Sequence, residues 1–177
     1  MSWGPPHDPY NTVPDEYKER IPLETIELRE NVSERAVVDH LLDRDEVSEE
    51  DRLKREKRRA IVEDDERLKK EYLQGYYGHT AALDDCIGMI RDALKNAGVA
   101  EDTILVFTSD HGDMLGSHRM ASKQSPFEES INVPFVIEYP RSVPNGKRSD
   151  ALLSPIDMMP TLLSMAGLEC PDVDGVN

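Results

Sequence analysis

A carboxylate and an imidazole stand side by side in Ser109-Asp110-His111-Gly112-Asp113-Met114-Leu115-Gly116. At the end of a strand the two can reach one cation, and the glycine after them lets the backbone turn sharply enough to aim both. Taken alone, Asp110 and His111 fit slightly better a capping aspartate and a hydrogen-bonded histidine of an ordinary loop. Lys123, in Ala121-Ser122-Lys123-Gln124-Ser125-Pro126-Phe127, would by default be solvated. Beside a metal-bound oxyanion, the same ammonium is a compact point charge that can neutralise a transferring sulfuryl or phosphoryl group. His7 lies between prolines in Pro5-Pro6-His7-Asp8-Pro9, a stiff loop from which an imidazole could donate to an ester oxygen. Each signal is weak by itself.

These residues need elements to hold them. Leu68, Tyr72, Tyr76, Thr80, Leu83, Ile87, Ile90 and Leu94 recur at steps of four and three, which predicts a helix over Leu68–Ala97 stopped by Gly98. Thr103–Thr108 follows as a β-branched apolar run without alternation, the pattern of a strand covered on both faces of a parallel sheet. The doublet begins where that strand ends, and open α/β sheets bind ligands at the carboxyl ends of their strands. Val133–Tyr139 reads as a second strand, its proline near the start. Ser154 or Asp157 can cap a last helix through Ala166, ended by Gly167. Residues Asp43–Lys70 hold 11 acids and 10 bases in 28 positions, a solvated helix or a partly disordered lid. Helix followed by buried strand makes the fold class α/β.

The 36 acids against 21 bases give a net charge of -15. Such a field repels phosphate backbones and anionic lipid, so nucleic acid is excluded as a partner, and an enzyme for anionic esters would need a metal or local positive charge. Cys86 and Cys170 are too few for a disulfide framework, and Cys86 reads as a buried helical thiol. No run approaches the roughly 18 apolar residues of a membrane span.

Four blocks carry a resemblance: SWGPPHDPY, YYGHTAALDDCIG, TILVFTSDHGDMLGSHRMASKQSPFEESINVPFVI and SPIDMMPTLLSMAG. In this order they resemble the sulfatase family, within the alkaline-phosphatase-like superfamily, over almost the whole chain apart from the charged stretch. The resemblance implies a partial three-layer α/β domain with a mostly parallel central sheet, here the C-terminal part of a sulfatase catalytic domain with a charged helical insert at about 43–70. It implies that His7 and Lys123 contact the sulfate and act in catalysis, and that Asp110 and His111 are two ligands of a divalent metal. Calcium is the expected ion; manganese or zinc is open, because the second position is Asn in many sulfatases and nitrogen suits transition metals better. His118 holds a Gly-x-His position to which only supporting contacts can be assigned. His79 is expected to be a plain helix residue, and Asp84 and Asp85 to match a structural Leu-Asp-Asp feature.

The family's nucleophile is a Cys or Ser in Cys/Ser-x-Pro-x-Arg, oxidised to formylglycine. That motif is absent from this sequence: Cys86 precedes Ile-Gly-Met and Cys170 precedes Pro-Asp-Val. The family's early Asp pair is absent as well. The expectation is therefore a truncated sulfuric ester hydrolase, inactive by itself, whose complete form would act on a small-molecule or saccharide sulfate ester. The alternatives are a phosphonate monoester hydrolase or phosphodiesterase of the same superfamily, and a non-catalytic remnant. Compartment and oligomeric state stay open.

Overall fold

A computed structural model describes residues 1–33, 66–123 and 125–176. The expected charged insert falls mostly outside them; only its end, from Glu66, is seen, as the first turn of a long helix. The helices are α1 (Asp15–Lys18), α2 (Glu66–Asn96), α3 (Glu128–Ile131) and α4 (Met158–Met165), with strands β1 (Leu105–Thr108) and β2 (Phe135–Glu138). Short 3₁₀ turns join them, among them Tyr10–Thr12, Glu30–Ser33 and Ser117–Arg119. The chain divides into two compact units, one of Met1–Ala93 with Thr108–Phe135, the other of Leu94–Phe107 with Val136–Asn177.

The first unit has the larger core. Tyr10, Ile26, Leu73 and Leu115 are its buried cluster, with Tyr72 and Tyr76 packed against them. The Tyr10 ring meets those of Tyr72 and Tyr76 edge-on, with centroids 4.6 and 5.4 Å apart, as aromatic quadrupoles prefer. The expected helix forms as α2, but its buried residues are Leu73, Gly75, Gly78 and His79; of the expected stripe, Tyr72 and Tyr76 pack half-buried on the core while Leu68 and Thr80 are exposed. A Cβ on Gly75 would stand 2.4 Å from the Tyr10 carbonyl oxygen, and one on Gly78 3.0 Å from Val13 Cγ2. Glycine lets the N-terminal loop lie directly on the helix. Cys86 is half-buried rather than the buried thiol expected. His79 is a buried helix residue with Nε2 3.4 Å from Thr12 Oγ1, and Asp85 accepts from Arg20 Nη1 at 2.9 Å.

In the second unit, β1 and β2 pair as a two-stranded sheet. A sheet of this size is consistent with part of an α/β domain. Every residue of β1 is half-buried, where the unbroken apolar run predicts a strand buried on both faces. The difference is physical: the run sets which residues can be covered, and the covering layers set which are. Asp102 and Arg141 form an ion pair. A 3₁₀ turn, Pro155–Asp157, leads into α4; Ser154 and Asp157 form a reciprocal capping box at the start of that turn, with Pro155 at its first position. Gly167, at φ 69°, closes α4.

Candidate active site

All four candidate residues belong to the first unit. Asp110 and His111 follow β1 after Ser109, in a turn held by side chain and backbone together. Ser109 Oγ donates to the His111 carbonyl at 2.7 Å, and the His111 amide donates to Asp110 Oδ1 at 3.1 Å. His111 Nδ1–H donates to the Gly112 carbonyl at 2.7 Å, which leaves Nε2 as the free ring nitrogen, 3.4 Å from Asp110 Oδ2. One carboxylate oxygen and one imidazole nitrogen thus converge, with the carboxylate open to solvent. Desolvation pushes Asp110 upward, but His111, backbone N–H groups and Lys123 outweigh it and hold its carboxyl below the usual aspartate range.

A Cβ on Gly112 would stand 2.1 Å from the Glu129 carbonyl oxygen, so only glycine lets the loop pass the start of α3. The Gly112 amide donates to the Ser130 carbonyl at 2.8 Å and the Met114 amide to the Ser122 carbonyl at 2.7 Å. The second bond folds residues 114–122 back on themselves, next to Lys123, and the first ties the start of the loop to α3. The fold-back uses left-handed backbone at Leu115, His118, Arg119 and Ser122, a conformation that costs non-glycine residues energy and concentrates at functional loops.

Lys123 Nζ lies 3.1 Å from His7 Nε2, the two residues being 116 positions apart. His7 Nδ1 lies 2.9 Å from the Asp8 carbonyl and 3.0 Å from Asp8 Oδ1. With Nδ1–H given to Asp8, Nε2 accepts from the Lys123 ammonium. The loop carrying His7 is anchored by a bond that sequence reading does not reveal. Tyr10 Oη donates to Asp113 Oδ2 at 2.8 Å, while Asp113 Oδ1 accepts the Leu115 amide at 2.9 Å. Burial pushes the Asp113 carboxyl up, and burial followed by the Asp113 charge pushes the Tyr10 phenol far up, so the phenol stays the donor. Tyr10 and Asp113 are 103 positions apart and neither stands in a spacing that marks it; their only hint is proximity to His7 and His111.

His118 stacks on Phe127 with centroids 4.2 Å apart and has Nε2 3.3 Å from Asn31 Nδ2. Asn31 Nδ2 also donates to Glu129 Oε1 at 2.7 Å. These contacts brace the loop rather than touch the Asp110–His111 doublet.

A family profile, Sulfatase, matches residues 4–168. The chain belongs to the sulfatase family. An ulvan-active sulfatase of Formosa agariphila is 32% identical over 175 residues, covering 97% of this chain and 29% of the relative. A solved structure of the putative sulfatase yidJ from Bacteroides fragilis superposes with a TM-score of 0.68 at 29% identity, over 92% of this chain and 30% of that one. The phosphonate monoester hydrolase of Agrobacterium radiobacter superposes at 0.57 with 36% identity, over 61% and 22%. The sulfatase chain thus has the α/β fold of its alkaline-phosphatase-like neighbours and spans under a third of the length of the relatives it matches. The family generally uses a divalent metal and a formylglycine. The donor set fits such a metal in part: Asp110 and His111 offer one oxygen and one nitrogen, and among the described residues no group of three or more His, Cys, Asp or Glu side chains is placed to hold one. No helix among those residues is long and apolar enough to cross a membrane.

Proposed function

We propose that this chain carries part of the catalytic domain of a sulfuric ester hydrolase, with His7 and Lys123 on the sulfuryl group and Asp110 and His111 on the metal. The observation that carries the reading is the 3.1 Å approach of Lys123 Nζ to His7 Nε2, which focuses two nitrogen groups from distant loops on one point. A tetrahedral oxyanion there would take the lysine charge on one oxygen and an imidazole N–H on another. Asp110 and His111 would hold the cation, which when bound supplies Lewis-acid polarisation of the ester oxygens. Calcium is the ion we assign, since a carboxylate oxygen is a hard donor; the imidazole nitrogen admits manganese or zinc. Residues 1–177 are read as one part of a single catalytic domain, with a charged insert at about 43–70. The substrate class is a small-molecule or saccharide sulfate ester, in keeping with relatives named for sulfated sugars, among them an N-acetylglucosamine-6-O-sulfatase.

A phosphonate monoester hydrolase is the second reading, favoured by the imidazole at His111 and by the match to a hydrolase of that name. Kinetics decide between them once the chain is joined to a nucleophile-bearing sulfatase segment. A higher kcat/KM for an aryl sulfate than for a phosphonate monoester supports the sulfatase, and the reverse ranking supports the rival. Lys123→Ala is expected to lower kcat with metal content unchanged, because its charge acts mainly on the transition state. Wild-type kinetics in that variant on both esters would remove Lys123 from the site. The 177-residue chain alone is expected to be inactive, and robust metal-dependent hydrolysis by it would overturn the assignment of the nucleophile to Cys/Ser-x-Pro-x-Arg.

A further inference from the structure

The two histidines of the site are tied down in the same way and then differ in one respect. His7 and His111 each present Nδ1 to the backbone carbonyl of the following residue, at 2.9 and 2.7 Å, so that each turns Nε2 outward. The carboxylate beside each ring lies on opposite sides. Asp110 Oδ2 is 3.4 Å from Nε2 of His111, on the side that would meet a cation. Asp8 Oδ1 is 3.0 Å from Nδ1 of His7, behind the ring, while the Lys123 ammonium stands 3.1 Å in front of Nε2.

We infer that Asp8 is the positioning residue of His7: its carboxylate and its own carbonyl together keep the proton on Nδ1 and aim Nε2 at the oxyanion that Lys123 receives. A carbonyl alone is a neutral acceptor, as at His111, and suits an imidazole that must stay neutral to bind a metal. A carboxylate makes the hydrogen bond charge-assisted and can also balance a positive ring. That balance matters at His7, because an oxyanion arriving at Nε2 needs a hydrogen-bond donor there. A proton from solvent adds to the Nε2 lone pair, Nδ1–H stays on Asp8, and the ring charge rests between Asp8 and the anion. Lys123 Nζ, released from Nε2, turns its N–H bonds to the same anion. The His7 loop is held for this by the His7 amide, which donates to the Gly4 carbonyl at 2.9 Å, and by Thr12 Oγ1, which donates to the Pro9 carbonyl at 2.7 Å. The role in catalysis rests on the sulfuryl reading above; the proton's location does not.

Long-range proton–nitrogen NMR of the ¹⁵N-labelled full chain reads this directly, with His7→Gln to assign the ring. The wild type should show His7 protonated at Nδ1 and bare at Nε2, and inorganic sulfate should convert Nε2 to the protonated form. Asp8→Ala should lose the single tautomer and give a mixture or a majority of Nε2–H, while His111 keeps Nδ1–H as an internal control. Asp8→Asn, which retains an acceptor without the charge, should keep the tautomer but lose the protonation of Nε2 on adding sulfate. An Asp8→Ala chain with His7 still wholly Nδ1–H would show that the carbonyl suffices and overturn the inference. So would an Asp8→Asn chain that protonates with sulfate as the wild type does. If Asp8→Ala fails to fold, Asp8→Asn decides alone. A wild type that holds the Nδ1–H tautomer yet ignores sulfate keeps the positioning role and counts against the sulfuryl reading instead.

Discussion

Among the described residues, the buried hydrophobic side chains (Tyr10, Val13, Ile26, Val32, Leu73, Met114 and Leu115) all lie in the unit that carries His7 and Lys123. In the unit with most of both strands, Val136, Leu152, Ile156 and Leu168 are more than half exposed. The site region has its own core, aromatic at its centre and closed by glycines. The strand region consists of a two-stranded sheet and one short helix, a combination that gains little from burial on its own. What the difference teaches is that local packing and loop hydrogen bonds within their own unit hold the candidate groups.

Truncation should separate the two regions most sharply. Leu73→Ala removes a side chain 5% exposed in the core cluster and is expected to cost about 3 kcal/mol, in the range typical of buried leucines. Leu152→Ala, at a fully exposed position, is expected to change stability by less than about 0.5 kcal/mol. Denaturant unfolding of both variants makes the comparison, and equal costs would break it. Next, Gly112→Ala drives a Cβ into the Glu129 carbonyl, where backbone must move, and about 2 kcal/mol is expected together with a changed His7 environment in NMR. Tyr10→Phe is smaller, about 1 to 2 kcal/mol, since it leaves the half-buried Asp113 carboxylate with the Leu115 amide but without its phenol donor. A double-mutant cycle with Asp113→Asn should give a positive coupling between the two.

The smallest effect belongs to the strand unit. Asp157 accepts the Val176 amide and the Ser154 amide, both at 2.9 Å, and these bonds hold its carboxyl below the usual aspartate range. A depressed folded-state pKa contributes stability that is present above the unfolded value of 3.8 and lost as pH falls through the folded one. Amide exchange at Ser154 and Val176 should therefore quicken as pH drops below that value, after correction for intrinsic rates. In Asp157→Asn this acid-induced change should be absent.

Much of the fold is local and therefore legible. The three-and-four spacing from Leu68 to Leu94 marks α2, Gly98 stops it with φ at 70°, and Ser154 with Asp157 announces the last helix. The strands are legible as runs, but the half-burial of β1 is not, because coverage depends on residues remote in sequence. The site divides in the same way. Asp110, His111 and Gly112 stand together, so their chemistry can be read from adjacency, whereas the meeting of His7 with Lys123 follows from family resemblance and not from any spacing within the chain. The Tyr10–Asp113 bond had neither signal: a tyrosine in a proline-rich loop and an aspartate after a glycine are ordinary until folding buries both.

The left-handed fold-back of residues 115–122 has a use for the experimenter. Proteases bind their substrates as extended strands, and Arg119 is an exposed trypsin target held at φ 55° in a segment whose ends are bonded to each other. Trypsin can therefore cut after Arg119 only in molecules whose loop has opened, so the cleavage rate there measures how often the chain lets go of Lys123.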